Sequence, residues 1–282
     1  MNFHQPPAAH VEHVSINVSD LNASALFYTT IVGLKILYQD HHHIDLTTDG
    51  VSPVLSLYQP ENPVRKGRTT GLYHFAILLP DRQSLAAFLM HISRQNVDLG
   101  AGDHHVSEAL YFNDPDGNGI EVYRDRDAGQ WIWHEDSVHM VTDPLNVEGI
   151  MESYDPHQPW NGMPEDTVIG HLHLHVSDLN AALPFYTEGL GLKTVAALGK
   201  QAAFLSFENY HHHIAINTWN GKNAPSPPDN SVGLKEYILR YPSEETLSDA
   251  VKRLQALGFE VCASEHGFYS QDPSGNKVLM AF

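Results

Sequence analysis

The sequence predicts an α+β fold that consists of four βαβββ modules in two homologous halves. The first observation is an internal repeat: 12 of the 18 residues in 18–35 are identical to residues 176–193 at a constant shift of 158. The same shift places Asp114-Pro115 over Asp272-Pro273 near the end of each half. Self-similarity over this length indicates two copies of one structural unit.

The second observation is that each half is itself doubled. Residues 13–18 alternate like a strand, and residues 22–30 read as a helix that ends before Gly33, with Leu26 and Phe27 expected to face the core. A similar strand begins at Tyr73 and is followed by a helical pattern. The alternating runs and glycine-rich turns that follow complete each module. We therefore expect modules near residues 10–60, 70–125, 169–220 and 232–282.

The two halves then cover residues 1–125 and 169–282, and residues 126–168 connect them. This connector is rich in Asp, Pro, Trp and Gly and breaks the strand pattern. Asp143-Pro144 combines a helix-capping residue with a proline, which predicts the start of a short helix.

Composition excludes several classes of protein. The chain has 34 acidic and 16 basic residues and a net charge of -18, which argues against nucleic-acid binding. The N-terminus does not resemble a signal peptide, and no apolar run approaches the roughly 20 residues that span a bilayer. Cys262 is the single cysteine, so no internal disulfide can form. We expect a cytoplasmic protein that binds neither membranes nor nucleic acids.

The 20 histidines are the unusual feature of this composition. Three of them share one spacing, seven residues before an aspartate: His13 before Asp20, His74 before Asp81 and His171 before Asp178. Each therefore occupies the same place on the first strand of its module. The fourth module has Glu236 at this place.

A glutamate on another strand completes a plausible donor set. Glu121 lies on the last strand of the second module, and its counterpart in the fourth module is Leu279. Two imidazoles and one carboxylate from different strands suit Fe(II) with open coordination positions. The same donors suit Mn(II), so the donor types leave both metals open.

These residues carry a resemblance to a known family. The modules resemble the vicinal oxygen chelate superfamily, with its glyoxalase/bleomycin-resistance/extradiol dioxygenase-like fold. Residues 103–111 and 114–121 resemble the signature of type I extradiol dioxygenases, and the likeness to the catechol 2,3-dioxygenase-like branch spans nearly the whole chain. The resemblance implies a non-haem iron enzyme of aromatic hydrocarbon catabolism, which opens a catecholic ring with O2 to a semialdehyde.

The resemblance also implies site residues. The family has a histidine, a tyrosine and then the glutamate ligand ten residues beyond the tyrosine, as Tyr111 and Glu121 are spaced here. The histidine is His104 or His105, because the preceding loop departs from the family spacing. Residues 210–215 resemble the family's histidine pair, which points to His213. His213 and His105 are the expected acid–base residues, and Tyr111 is expected to hydrogen-bond the substrate.

The pairing of modules decides which ligands meet. The second half alone lacks two ligands, so two pairings remain open. Modules one and two would supply His13, His74 and Glu121. Modules two and three would supply His171, His74 and Glu121, together with His213, His105 and Tyr111. We favour the second pairing because it gives a full set, and His13 remains the alternative third ligand.

Other interpretations also remain open at this stage. An isomerase or thiol transferase of the same scaffold would need a fourth ligand, and a small-molecule-binding protein would need no metal. Residues 41–43 and 211–213 could be exposed polar runs, and His173 and His175 could be packing residues. The sequence also leaves open whether the chain forms a homo-oligomer.

Overall fold

The computed structural model describes residues 3–282, in which strands predominate over short helices. Module one contains β1 His10–Asn17, α1 Leu21–Phe27, β2 Lys35–Gln39, β3 His43–Thr47 and β4 Pro53–Tyr58. Module two contains β5 Gly71–Leu78, α2 Arg82–Ile92, β6 Gly100–Asp103, β7 Ser107–Asn113 and β8 Gly119–Asp125. The connector contains β9 Trp133–His134, β10 Ser137–Val138 and α3 Val147–Met151.

The second half repeats this order. Module three contains β11 Val168–His175, α4 Leu179–Pro184, β12 Lys193–Leu198, β13 Ala202–Ser206 and β14 Ile214–Asn217. Module four contains β15 Gly233–Arg240, α5 Glu244–Ala256, β16 Val261–Ser264, β17 Gly267–Gln271 and β18 Lys277–Ala281. Each module thus follows the βαβββ order that the sequence predicts.

The modules pair across the two halves. The first sheet has the strand order β16-β17-β18-β15-β1-β4-β3-β2 and joins modules one and four. The second sheet has the order β12-β13-β14-β11-β5-β8-β7-β6 and joins modules two and three. In each sheet the first strands of the two modules pair antiparallel at the centre. The fold is therefore α+β, with two eight-stranded sheets.

Strand alternation separates the core from the opposite face of the second sheet. On β11, Leu172 and Leu174 enter the hydrophobic core, whereas His171, His173 and His175 point to the other side. On β8, Ile120 and Val122 belong to the same core. This alternation directs histidines and Glu121 to one common face.

The internal repeat places equivalent tyrosines in the core between the two sheets. Tyr28 and Tyr186 are fully buried and donate to Asp114 at 2.9 Å and Asp272 at 2.8 Å. Leu26, by contrast, is 64% exposed, so its predicted inward orientation is wrong. The buried face of α1 consists of Leu21, Ser24 and Ala25, and Tyr28 continues it one turn later, so Leu26 lies on the opposite face.

The connector is more than a link between the halves. Trp131 and Val138 pack with Phe3, Val106 and Tyr210 in a second hydrophobic cluster on the outer side of the second sheet. The predicted helix start at Asp143-Pro144 is wrong, because α3 begins at Val147 and its cap is Asn146. The backbone of Asp143 instead pairs with that of Asp103 on β6.

A buried ion-pair cluster fixes the connector to module two. Glu108 on β7 is 1% exposed and contacts Arg82, Arg124 and Arg126. Arg82 also donates to the carbonyl of Gly149 at 2.7 Å, which ties α2 to the connector helix. A buried carboxylate needs such partners, because an unpaired buried charge is costly.

Within the described residues, no helix is long and apolar enough to span a membrane.

Candidate metal centre

Two imidazoles converge on one carboxylate on the outer face of the second sheet. Glu121 is 2% exposed, and its Oε2 lies 3.1 Å from Nε2 of His171 and 3.1 Å from Nε2 of His74. One donor atom from each of the three residues can be chosen so that all lie within 4.8 Å of one another. Each residue comes from a different strand, namely β5, β8 and β11.

Strand pairing explains why these three side chains meet. β5 is the neighbour of both β8 and β11, in parallel and antiparallel pairs respectively. Ala76 is the backbone partner of both Glu121 and His171, so these two side chains flank the same point of the central strand. His74 lies two residues before Ala76 and therefore points to the same face.

The ionisation of the group suits a metal ion. Burial alone would raise the pKa of Glu121, but the charge and hydrogen bond of His171, together with the nearby His74, outweigh it and hold the pKa well below its usual value. Burial lowers the pKa of His171 to about 4. An ionised carboxylate and a neutral imidazole are the forms in which these groups bind metals.

Two observations test whether a divalent ion fits this group. Nε2 of His74 is buried and has no hydrogen-bond partner, although it lies close to Glu121. Within residues 3–282, the carboxylate of Glu121 has no lysine or arginine partner, and its close ionisable neighbours are the two imidazoles. A divalent cation would satisfy both the orphaned nitrogen and the buried charge. The residues present fit such an ion.

His13, the alternative third ligand, lies in the other sheet. Its Nε2 is 2.8 Å from Oγ of Ser56, which donates to Asp45 at 2.5 Å. His13 is on β1, whose neighbours are β4 and β15, whereas Glu121 belongs to the second sheet. The structure therefore does not bring His13 to Glu121.

A cavity of about 400 Å³ opens beside the three residues. His74, Glu121 and His171 line it, together with Tyr111 on β7 and His104 on the preceding loop. Nδ1 of His104 lies 2.7 Å from the carbonyl of Val141 and must donate to it. In the tautomer that carries its proton at Nδ1, His104 accepts at Nε2 the hydrogen bond from the hydroxyl of Tyr111 at 2.6 Å. Burial, and next the charge of Glu121, raise the pKa of Tyr111 well above its usual value.

The structure does not bring His105 to this cavity. His105 adopts a left-handed backbone conformation with φ of 66°, and its Nε2 lies 3.0 Å from the carboxylate of Asp143 at the surface. The turn directs neighbouring side chains apart, so His104 occupies the place that His105 was expected to take. The resemblance had left these two residues open.

His213 also lies away from the cavity. Its Nε2 is 3.0 Å from the carbonyl of Phe3, and its Nδ1 accepts from the backbone N–H of Phe207 at 3.2 Å. His212 lines the cavity instead, and its ring centroid is 4.1 Å from that of His171. The run 211–213 is therefore buried rather than exposed. The run precedes β14, so strand alternation could not assign its side chains.

His212 is held by a chain of hydrogen bonds. Its Nδ1 lies 2.8 Å from Nδ1 of His211, and Nε2 of His211 lies 2.9 Å from Oδ1 of Asp125. The hydroxyl of Tyr210 lies 3.3 Å from the same carboxylate oxygen. Sequence reasoning missed His212, although it stands within the run that resembles the family's histidine pair.

The other histidines of β11 have different surroundings. His173 is 4% exposed, lines the cavity and makes no hydrogen bond within the described residues. Its ring lies 5.0 Å from that of His74 and 5.1 Å from that of Trp219. His175 is bonded to the side chain of Asn217 at 2.7 Å and does not line the cavity.

Comparisons with known proteins agree with this architecture. Residues 10–122 and 168–280 each match the family model described as Glyoxalase/Bleomycin resistance protein/Dioxygenase superfamily. The chain is 40% identical over 270 residues to a catechol-2,3-dioxygenase of Bacillus subtilis (strain 168), which covers 94% of both proteins. It is 26% identical over 148 residues to biphenyl-2,3-diol 1,2-dioxygenase 3 of Rhodococcus globerulus, covering 51% of this chain and 76% of that protein.

A solved structure shows the same fold. The crystal structure of a putative dioxygenase from Bacillus subtilis subsp. subtilis str. 168 superposes with a TM-score of 0.65 at 13% identity. The match covers 96% of this chain and 84% of the other.

Proposed function

The chain belongs to the Glyoxalase/Bleomycin resistance protein/Dioxygenase superfamily, in its catechol 2,3-dioxygenase-like branch, and on this basis we propose an iron-dependent extradiol dioxygenase. It would open a catecholic ring beside one hydroxyl with O2, incorporate both oxygen atoms and release a ring-opened semialdehyde. The observation that carries this proposal is the convergence of His74 and His171 on Glu121 in the wall of a cavity.

The three residues would hold Fe(II) on one side and leave its other positions towards the cavity. When bound there, the ion would supply binding sites for a diol and O2 and a route for electron density from ring to oxygen. Mn(II) has the same donor preferences and remains the alternative metal. The protein's own part is to position the diol and to handle its protons.

His212 is the residue best placed to accept a diol proton. Its Nδ1 is engaged by His211, which leaves Nε2 as the ring nitrogen available to the cavity. The contact between the His212 and His171 rings places it beside the proposed metal ligands. A positioned imidazole can take a proton from the bound diol and return it to the opened product. We assign to His212 the role that the sequence assigned to His213.

Tyr111 and His104 form a second polar pair in the cavity. Burial and Glu121 keep the phenol of Tyr111 protonated, so it remains a hydrogen-bond donor at neutral pH. The phenol has one proton, which it gives to Nε2 of His104 in this structure, and on diol binding it would turn this proton to the substrate oxygen on which negative charge develops. Until the diol binds, His104 holds the Tyr111 hydroxyl at the cavity, and it replaces His105 in this part of the proposal.

The number of ligands favours a dioxygenase over an isomerase or thiol transferase. Among residues 3–282, His74, Glu121 and His171 form the one group of three or more donors that could hold a metal ion. No further carboxylate joins it to make the four-ligand site that those enzymes would need. The buried, charged group also argues against a binding protein without a metal.

The single exposed thiol, Cys262, suits a reducing compartment, and we propose that the enzyme works in the cytoplasm.

The test is metal loading followed by turnover. The protein is loaded with Fe(II) or Mn(II) under nitrogen, its metal content is measured, and catechol is added under air. We expect one O2 consumed per catechol and a yellow semialdehyde product with at least one of the metals. Glu121→Ala should lose metal and activity, whereas Glu236→Ala in module four should keep both. Stoichiometric metal and full ring cleavage in Glu121→Ala would overturn the proposal.

A further inference from the structure

Three large apolar side chains surround the mouth of the cavity and are exposed to solvent. Tyr73 is 40% exposed, Leu198 is 56% exposed and Trp219 is 37% exposed, and all three line the cavity. Tyr73 and Trp219 stand edge to face, with ring centroids 5.1 Å apart. Exposed apolar groups that cluster at a cavity mouth indicate contact with a ligand.

The apolar surface continues from the mouth into the cavity. Ala196 and Phe204, on β12 and β13, pack against the cluster that contains Val106, and Met140 of the connector packs against the same cluster. All four residues line the cavity. The wall therefore joins module two, module three and the connector in one apolar surface.

The charge of the cavity lining also favours an uncharged ligand. Among the described residues, the cavity is lined by neither lysine nor arginine, and its charged group is Glu121. Ser107, Thr142 and His173 also line it and can form hydrogen bonds, but they do not replace a lysine or arginine as partner for a carboxylate. A ring substituent that carries a negative charge would lie here without a counter-ion.

The size of the cavity leaves room beyond the diol ring. Its volume of about 400 Å³ falls within the roughly 300–1,000 Å³ typical of pockets for drug-sized ligands. Edge-to-face and stacked aromatic contacts stabilise an apolar or aromatic group between Tyr73 and Trp219. A diol held at Glu121 could thus extend its substituent towards the mouth.

We propose that this cavity selects neutral catechols with an apolar substituent and rejects carboxylated catechols, with Trp219, Leu198 and Phe204 as specificity residues. This inference rests on the proposed ring-cleaving function. It adds a substrate class, namely alkyl- or aryl-substituted catechols, and names the wall that recognises them.

The first experiment compares an acid with its own ester. The iron-loaded enzyme is given 3,4-dihydroxyphenylacetate and its methyl ester, which differ in charge but share the diol. We expect kcat/KM for the ester to exceed that for the acid by at least about tenfold, because the apolar wall takes the carboxylate partly out of water and offers it no cation. Equal values for the two compounds would overturn the inference while leaving the ring-cleaving function intact.

Two variants test the wall itself. Trp219→Ala should lower kcat/KM for 4-alkylcatechols about tenfold more than it lowers kcat/KM for unsubstituted catechol. Leu198→Arg should raise kcat/KM for the acid about fivefold, whereas Val51→Arg, a remote exposed site that adds the same charge, should not. If both arginine variants raise kcat/KM for the acid equally, the cause is long-range electrostatic attraction. This result would contradict recognition of the substituent by the cavity wall.

Binding gives a readout that does not depend on turnover. Under nitrogen, binding of the ester to the iron-loaded protein should quench tryptophan fluorescence, and Trp219→Phe should remove most of this quenching. Binding of the acid should be weaker by a similar factor as its kcat/KM. If the loaded protein neither binds nor cleaves any of these diols, the proposed function fails and this inference fails with it.

Discussion

His171 and His13 occupy equivalent positions 158 residues apart, yet they have different partners. Nε2 of His171 lies 3.1 Å from the carboxylate of Glu121, whereas Nε2 of His13 lies 2.8 Å from the hydroxyl of Ser56. The repeat therefore places one histidine in a group that can hold a metal and the other in a hydrogen-bonded pair. This difference makes His13 a matched control for His171 in the same chain.

Metal binding should depend on His171 and not on His13. We expect His171→Ala to weaken Fe(II) binding by more than about 100-fold, because loss of even a ligand's hydrogen-bond partner costs about 10–100-fold. His13→Ala should bind Fe(II) as the unchanged protein does. Competition with a chelator of known affinity measures both. Loss of metal in His13→Ala alone would assign the third ligand to His13.

Replacement of Tyr111 should lower kcat, whereas replacement of its counterpart Tyr269 should not. Removing one hydrogen-bond donor that stabilises developing charge costs about 100–1,000-fold in kcat, so we expect a loss of this order in Tyr111→Phe. Tyr269 lies 3.4 Å from Glu236 in the first sheet, and Tyr269→Phe should keep its kcat. Steady-state rates at saturating catechol, with metal content measured in parallel, separate this effect from metal loss.

The adjacent residues His212 and His213 should differ in what they affect. A general base contributes about 100–10,000-fold to the rate, so His212→Gln should lower kcat within this range. His213→Gln should keep kcat within about twofold but lower the free energy of unfolding by about 1–3 kcal/mol, because buried groups of Phe3 and Phe207 lose their partner. Loss of kcat in His213→Gln with unchanged stability would restore His213 as the acid–base residue.

His13 should contribute to destabilisation by acid. Burial lowers its pKa to about 4 from the ordinary histidine value of about 6.5, so the unfolded chain takes up the proton first as the pH falls. The effect is absent well above pH 6.5 and grows between pH 6.5 and about 4. At pH 5 it should cost about 2 kcal/mol relative to pH 7.

The measurement is urea unfolding of the metal-free protein at several pH values. His13→Gln should make the free energy of unfolding less dependent on pH between 7 and 5, because glutamine can still bond Ser56 but does not titrate. His41→Gln, at an exposed position, should leave the pH dependence as it is. An unchanged pH dependence in His13→Gln would contradict the assignment.

The module order could be predicted because it depends on local patterns. Period-two alternation marks β1, β5 and β11, and the repeat at a shift of 158 carries each assignment to the other half. Local patterns failed where neighbouring elements decide the outcome. Asp143-Pro144 has the residue types of a helix start, but the backbone of Asp143 pairs with that of Asp103 on β6 and the helix begins at Val147.

The candidate site was predictable to the extent that it lies on regular strands. His74, Glu121 and His171 were named from strand positions, and the structure brings them together. His105 and His213 were each one residue away from the histidine that lines the cavity. Both stand outside strands, where side-chain direction follows from turn geometry and not from alternation.

The sequence by itself determined the four modules and the equivalent positions of the histidines. It also showed that the fourth module has Leu279 where the second module has Glu121. All of these are properties of spacing and residue type. Only the tertiary structure decided that β5 pairs with β11, since long-range strand pairing depends on how the whole core packs. That pairing brings His171 to Glu121 and leaves His13 in the other sheet. It also places the connector beside the cavity, where Met140 and Val141 form part of its wall.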